Sequence, residues 1–535
     1  MKLNLKELAD KSKWNGYKLF DFDYAKVSEN TKKSPEWVHF GGGNIFRIFP
    51  AALCQKLLNE GLMNTGIVVG NSHDPEIIDI LYKAHDNLTL GVTLKADGSI
   101  SKEVIGSIAW ALNCDPELKD DWAEFEKIFT NPSLKMVSFT ITEKGYALYG
   151  PDGKLLPAYV EDFATTPENA KMFMCHLTRL LFARFKAGQL PVTMVSMDNC
   201  SHNGEKLQSA IVEIAENWCK KGYVPQEFIE YLKNDKKVAF PWSMIDKITP
   251  RPDAKVAEML KKDGFEDTEL MVTSRKTYIS PFVNAEEPQY LVIEDKFPNG
   301  RPPLEKAGVY FTDRDTVNKV EKMKVCTCLN PLHTSLAVSG CLLGFNLICD
   351  EMKDSDLKKM VEILGYEEGL PVVVDPKIIE PKSFIDEVIT KRLPNPFMPD
   401  TPQRIATDTS QKLSIRFGET VKAYQSKGLD LNKLKIVPLV FAMWARYLLA
   451  VDDDGKAFEL SPDPLIPSVK PILEGIEIGG KNADAEEKFK KLLANEKIFG
   501  FDVTSSPLYQ KSKEYFLAMV SGKGMVRKTI HEAVN

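Results

Sequence analysis

The stretch Trp37-Val-His-Phe-Gly-Gly-Gly-Asn-Ile-Phe-Arg47 decides how the first half of the chain reads. Four residues of strand character run into three glycines, and a helical pattern follows at once. Glycines at 41, 42 and 43 let a backbone approach a pyrophosphate, and a helix opening at Asn44 offers its first N–H groups to the phosphates. Arg47 stands about where a third fingerprint glycine is expected and would add positive charge there. The plainer reading of the same residues is an ordinary glycine turn.

The context favours the nucleotide reading. Residues 50–60 continue as an amphipathic helix, and Thr65-Gly-Ile-Val-Val-Gly70 reads as a second buried strand, which completes one βαβ unit. An acidic residue usually ends that second strand and takes the adenosine ribose. Asn71 stands there, so Asp74 is the candidate for the role, while His73 or Lys83 would tolerate a ribose phosphate. NAD is expected, with NADP left open.

Two further strands end in polar loops, where open α/β sheets hold ligands. Met136–Thr142 leads into Glu143-Lys-Gly-Tyr146, and Val192–Ser196 leads into Met197-Asp-Asn-Cys-Ser-His-Asn-Gly204. Thr142, Glu143, Asp198 and Asn199 are candidates on these loops, although turn chemistry alone would also place Asx residues there. Asp246 follows in Phe240-Pro-Trp-Ser-Met-Ile-Asp-Lys-Ile-Thr-Pro250. From Asp313 the apolar spacing is helical, so residues 1–312 are expected to form a Rossmann-type α/β domain and residues 313–535 a mainly helical one.

The second half holds Lys324-Val-Cys-Thr-Cys-Leu-Asn330-Pro-Leu-His333-Thr. A lysine desolvated among apolar neighbours should exchange a proton with an alcohol near neutral pH. The bland alternative has Lys324 snorkelling, Asn330 capping a helix ahead of Pro331, and His333 as a core histidine. A zinc reading of Cys326, Cys328 and His333 matches none of the usual paired ligand spacings.

Composition bounds the function. The chain has 535 residues, 43% hydrophobic and 27% charged, and 69 basic against 75 acidic residues give a net charge of -6. Nothing there attracts nucleic acid or an anionic membrane, so a small molecule is the expected partner. Without a signal-peptide core or a long apolar run, a soluble cytoplasmic protein is expected. The nine cysteines, several inside apolar runs, read as free thiols.

Taken together, Phe40-Gly-Gly-Gly-Asn44, Thr140–Tyr146, Asp198-Asn199 with Asn203-Gly204, Phe240–Pro250, the Lys324–His333 cluster, Arg404-Ile-Ala-Thr-Asp-Thr-Ser-Gln-Lys412 and residues 444–455 resemble the polyol-specific long-chain dehydrogenase/reductase family. That family includes mannitol 2-dehydrogenase and fructuronate reductase. The resemblance implies a Rossmann-type domain, a mostly helical second domain, a metal-free NAD(P)-dependent reaction and a monomer. It also implies that Lys324 is the catalytic lysine, that Asn199 and Asn330 are oxyanion-stabilising amides, that His333 orients substrate, and that Arg404 and Lys412 bind it. Interconversion of a keto-sugar or keto-uronate with its polyol or aldonate follows, with fructuronate and mannonate favoured. Mannitol oxidation, tagaturonate reduction and a non-catalytic nucleotide sensor are the alternatives.

One departure bears on structure. The family's lysine commonly lies five residues before the asparagine, whereas Lys324 lies six before Asn330. At about 100° per residue an unbroken helix would point Lys324 and His333 in nearly opposite directions. The spacing therefore predicts a π-bulge or a helix break at Pro331.

Overall fold

The computed structural model describes residues 1–71 and 73–535. The chain divides into two compact units, one of Met1–Leu94 with Ile100–Val317, the other of Lys95–Ser99 with Asn318–Asn535.

The first nine strands, all in the first unit, are β1 (Trp37–Phe40), β2 (Ile67–Asn71), β3 (Thr89–Leu94), β4 (Ile100–Ile105), β5 (Ile108–Asn113), β6 (Met136–Phe139), β7 (Val192–Ser196), β8 (Val238–Ala239) and β9 (Ser243–Asp246). Six of them form one sheet in the order β5-β2-β1-β6-β7-β8, every neighbour parallel. Such a sheet is covered on both faces, so its strands read as unbroken apolar runs rather than alternating ones. The pleat still sorts them: Val38, Phe40 and Val68 join one buried cluster, and Trp37, Ile67 and Val69 join another. Strand order reverses direction between β1 and β6, which makes the loops after these two strands the walls of a topological crevice.

The connecting helices follow their patterns. Pro50 opens the helix Pro50–Asn59 at a position where its missing N–H costs nothing. In Asn203–Lys220, Leu207, Ile211, Ile214 and Trp218 recur at helical spacing and are buried. β3 and β4 form a smaller sheet with residues 282–286, and in another the strand 290–294 lies between β9, antiparallel to it, and residues 310–312, parallel to it.

The second unit is helical. Its centre is Ile436–Tyr447, whose every residue is buried and which packs on Leu508–Val520. No side chain on the helix itself caps its start. Glu368 does so from a distance, with Oε1 accepting the N–H of Lys435 and Ile436 and Oε2 that of Val437. Burial outweighs those bonds and pushes the Glu368 carboxyl up to about 7. Asp453 caps Met525–Val534 in the same way, through Val526 and Arg527. No helix among the described residues is long and apolar enough to cross a membrane.

Candidate functional site

In the first unit the glycines sit at the crevice. Gly41 has φ +107, and a Cβ there would lie 2.2 Å from the Thr140 carbonyl oxygen, so the loops after β1 and β6 touch only because this residue is glycine. A Cβ on Gly42 would meet the Tyr82 hydroxyl at 2.9 Å, while one on Gly43 would meet nothing within 4 Å among the described residues. Gly43 precedes the helix Asn44–Ile48, which no side chain caps. Open space over an uncapped helix start suits a phosphate group.

Arg47 does not face that space. It is buried, and its Nε donates to the Thr89 hydroxyl at 3.1 Å and its two terminal nitrogens to the carbonyls of Ser280 at 2.9 Å and Pro281 at 3.1 Å. The expectation that it contacts a pyrophosphate is corrected: with every guanidinium nitrogen engaged, Arg47 ties the first helix to the edge of the small sheet. Asp74 is likewise buried, its Oδ2 accepting the Thr273 hydroxyl. Its Oδ1 has no partner among the described residues.

Asp198 is also corrected. Its Oδ1 accepts the Thr142 N–H at 2.8 Å, and its Oδ2 accepts the Ile141 N–H at 3.0 Å and the Tyr146 hydroxyl. Burial raises the Asp198 carboxyl and raises Tyr146 far above the ordinary phenol range, so Tyr146 is a proton donor. The carboxylate is spent on bracing the loop after β6. There Thr142 holds φ +66, a strained conformation for a β-branched residue. Glu143, next along, is exposed and paired with Lys206. Asn199 is exposed at the end of β7, and Asp246 is buried at the end of β9, in register with Tyr290.

In the second unit, Lys324 opens a π-turn, Lys324–Cys328, after the helix Arg314–Met323. Leu329, at φ -129, separates that turn from the helix Asn330–Leu343, with Pro331 in its first turn. The spacing calls for a π-bulge or a break, and a π-turn and a break at Leu329 are both present. Lys324 is buried at 6% exposure. The neighbouring thiols are inert, since burial pushes Cys326 up to about 11 and Cys328 higher still.

His333 follows one turn into the second helix. Burial, and then Arg416, Arg404, Arg392 and Lys412, lower its pKa to about 3, so the ring is neutral in ordinary buffers. Its Nε2 lies 3.5 Å from Asp400 Oδ2 but makes no hydrogen bond among the described residues. Arg404 pairs with the other oxygen of Asp400. Lys412 Nζ donates to the carbonyls of Ile405, at 3.1 Å, and Thr407. Arg404 and Lys412 are therefore not on one continuous salt-bridged helix face: Asp408 between them has φ +55 and breaks the run. Lys412 is lowered to about 8 by burial first and by Arg416 next, partly offset by Asp408 and Asp463.

The family model for the mannitol dehydrogenase Rossmann domain matches residues 35–306, and that for the mannitol dehydrogenase C-terminal domain matches residues 316–519. The chain belongs to the mannitol dehydrogenase family. It is an oxidoreductase of that family, 51% identical over its whole length to a D-mannonate oxidoreductase of Thermotoga maritima, 99% of which is covered. A polyol:NADP oxidoreductase of Gluconobacter oxydans is 28% identical over 87% of this chain and 92% of its own. Among solved structures, a substrate-free D-sorbitol dehydrogenase superposes with a TM-score of 0.81 at 25% identity, covering all of both chains. A Pseudomonas fluorescens mannitol 2-dehydrogenase in complex with NAD and D-mannitol gives 0.68, also at 25% identity, over 99% of each chain.

Sequence reading missed Arg392 and Arg416 as neighbours of His333. For Arg416 a signal existed: the four-residue step from Arg404 through Asp408 to Lys412 continues to it. Arg392 carries no such mark.

Proposed function

We propose that this enzyme interconverts D-mannonate and D-fructuronate with NAD. The observation that carries the sugar-acid reading is the positive field at His333, to which Arg416, Arg404, Arg392 and Lys412 contribute and in which Arg416 has no carboxylate partner among the described residues. A neutral polyol gives Arg416 no counter-charge, whereas a carboxylate does. The identity to a relative named D-mannonate oxidoreductase supports the same reading.

NAD suits the glycine cradle after β1, where the residues to hold it are Gly41, Gly42, Gly43 and Asn44 at the phosphates, with Asp74, Thr142 and Glu143 nearby in the crevice loops. When bound, it supplies an acceptor for the hydride that leaves the alcohol carbon. The chain's own residues do the remainder. Lys324 takes the hydroxyl proton in oxidation and returns it in reduction. The amides of Asn330 and Asn199 donate to the developing alkoxide, each contributing roughly 3 kcal/mol when well placed. His333, through its unbonded Nε2, receives a substrate hydroxyl, and Arg404, Lys412 and Asp246 hold the rest of the substrate. Arg47 and Asp198 act as positioning residues. Residues 1–312 carry the dinucleotide and residues 313–535 the proton chemistry, in a cytoplasmic monomer.

The test is oxidation of NADH and of NADPH, followed by absorbance, with D-fructuronate, D-tagaturonate and D-fructose. Turnover of D-fructuronate well above the others is expected. Turnover of D-fructose alone would replace the proposal with a polyol dehydrogenase. Silence across the panel would favour a nucleotide-binding sensor.

A further inference from the structure

Arg416 stands apart from the other cations near His333. It lies on a second π-turn, Ser414–Gly418, and that turn packs against the π-turn that begins at Lys324. One terminal nitrogen of Arg416 donates to the Thr334 hydroxyl and, at 3.5 Å, to the Asn330 carbonyl. The guanidinium is thereby pinned beside the first turn of the helix that bears Asn330 and His333. Among its neighbours it is also the largest charge influence on the His333 ring.

Its own surroundings are one-sided. Burial lowers its pKa to about 10, no acidic group counters that, and no carboxylate pairs with it among the described residues. Arg404 by contrast is bound to Asp400, and Lys412 is satisfied by two carbonyls. Taking a guanidinium out of water without an anion is costly, and the cost is recovered when an anion arrives. A guanidinium fork fits a carboxylate with two parallel hydrogen bonds, and one edge of this one is already oriented by Thr334 and Asn330.

We propose that Arg416 receives the carboxylate of the substrate and is the specificity-determining residue that selects a sugar acid over a neutral polyol. The proposal rests on the sugar-acid reading above. In it Arg404 and Lys412 supply background field and hydroxyl contacts, while Arg416 makes the discriminating pair. The π-turn matters because it sets Arg416 against the turn of the proton-transferring lysine, which fixes the distance between the acid end of the substrate and its reacting hydroxyl.

The experiment measures kcat and KM for D-mannonate and for NAD in the wild type, Arg416→Gln, Arg416→Lys and Arg404→Gln, with D-mannitol as the neutral comparator, read as substrate or as competitive inhibitor. Arg416→Gln should raise KM for D-mannonate about a hundredfold, as loss of a charge-assisted pair does. KM for NAD and the D-mannitol constant should move less than about threefold. Arg416→Lys keeps the charge but not the fork, and should lose about tenfold. Its measurable KM keeps the test decisive where the glutamine variant does not fold. A larger selective loss in Arg404→Gln overturns the proposal, as does a fall in kcat shared equally by both substrates, which marks a purely structural arginine. A wild type that turns over D-mannitol and not D-mannonate fails the sugar-acid reading itself, a result visible before any variant is made.

Discussion

Asn203 and Ser243, forty residues apart, complete each other's hydrogen bonding: the Asn203 amide donates to the Ser243 carbonyl at 3.1 Å and hydroxyl at 3.0 Å, and its Oδ1 accepts the Ser243 N–H at 3.0 Å. The same amide reaches the carbonyl of Asp198, at 3.0 Å. One side chain thus clamps the loop after β7 to the start of β9. Asn203→Asp keeps the shape and removes every donor, leaving several buried carbonyls facing a carboxylate. A loss of about 3 kcal/mol in denaturant unfolding is expected, as for other breaks in buried networks.

Gly41 and Gly43 should respond differently to alanine. At Gly41 the added Cβ collides with the Thr140 backbone at a positive φ, so Gly41→Ala should abolish activity and lower the unfolding midpoint. At Gly43 the Cβ meets no atom of the described residues within 4 Å, and stability should hold while KM for NAD rises about tenfold or more. Equal cofactor affinity in Gly43→Ala and wild type would remove the phosphate from this loop.

Asp198→Asn replaces one acceptor oxygen with a donor group against N–H groups that already point at it. The strained Thr142 is then released. Stability should fall by about 1–3 kcal/mol and KM for NAD should rise, with KM for the sugar acid much less affected. Unaltered NAD binding would show that the loop after β6 needs no brace.

The pH dependence of the cations gives a fourth expectation. Lys412, at about 8, is charged below that pH and neutral above it. KM for D-mannonate should climb between pH 8 and 10, and Lys412→Arg should flatten the rise. His333, at about 3, is neutral throughout the working range and contributes no inflection near 6.5. His333→Asn should therefore lower the rate and leave the shape of the pH profile unchanged.

Glu368 gives a pH effect on stability instead. Its folded pKa is raised, to about 7 from an ordinary 4.5, so the native state holds the proton more tightly than the unfolded chain. The stabilisation is complete below about pH 4.5 and is lost as pH rises through about 7, a change of about 3 kcal/mol. Glu368→Gln should erase that slope in unfolding measured across pH 4–8. It also turns an amide donor toward the N–H groups of Lys435–Val437, so its stability at pH 5 should lie below that of the wild type.

By itself the sequence determined what depends on neighbours along the chain. Apolar runs and the three glycines set the βαβ start, and because helical rotation per residue is fixed, a site shared by Lys324 and His333, nine residues apart, called for a bulge or break. Tertiary structure alone decided which polar side chains are free to act. Arg47 looked like a phosphate ligand until acceptors 233 and 234 residues away engaged it. Asp198 looked like a ligand until the loop after β6, 56 and 57 residues earlier, took both oxygens. Arg416, marked in the sequence only by a four-residue step from Lys412, joined His333 because two π-turns pack together and Thr334, 82 residues away, orients it. The physical reason is common to all three. Local propensity sets where a residue sits on its element, but a buried polar group takes whatever partner the fold brings within about 3 Å, and sequence spacing carries no record of that meeting.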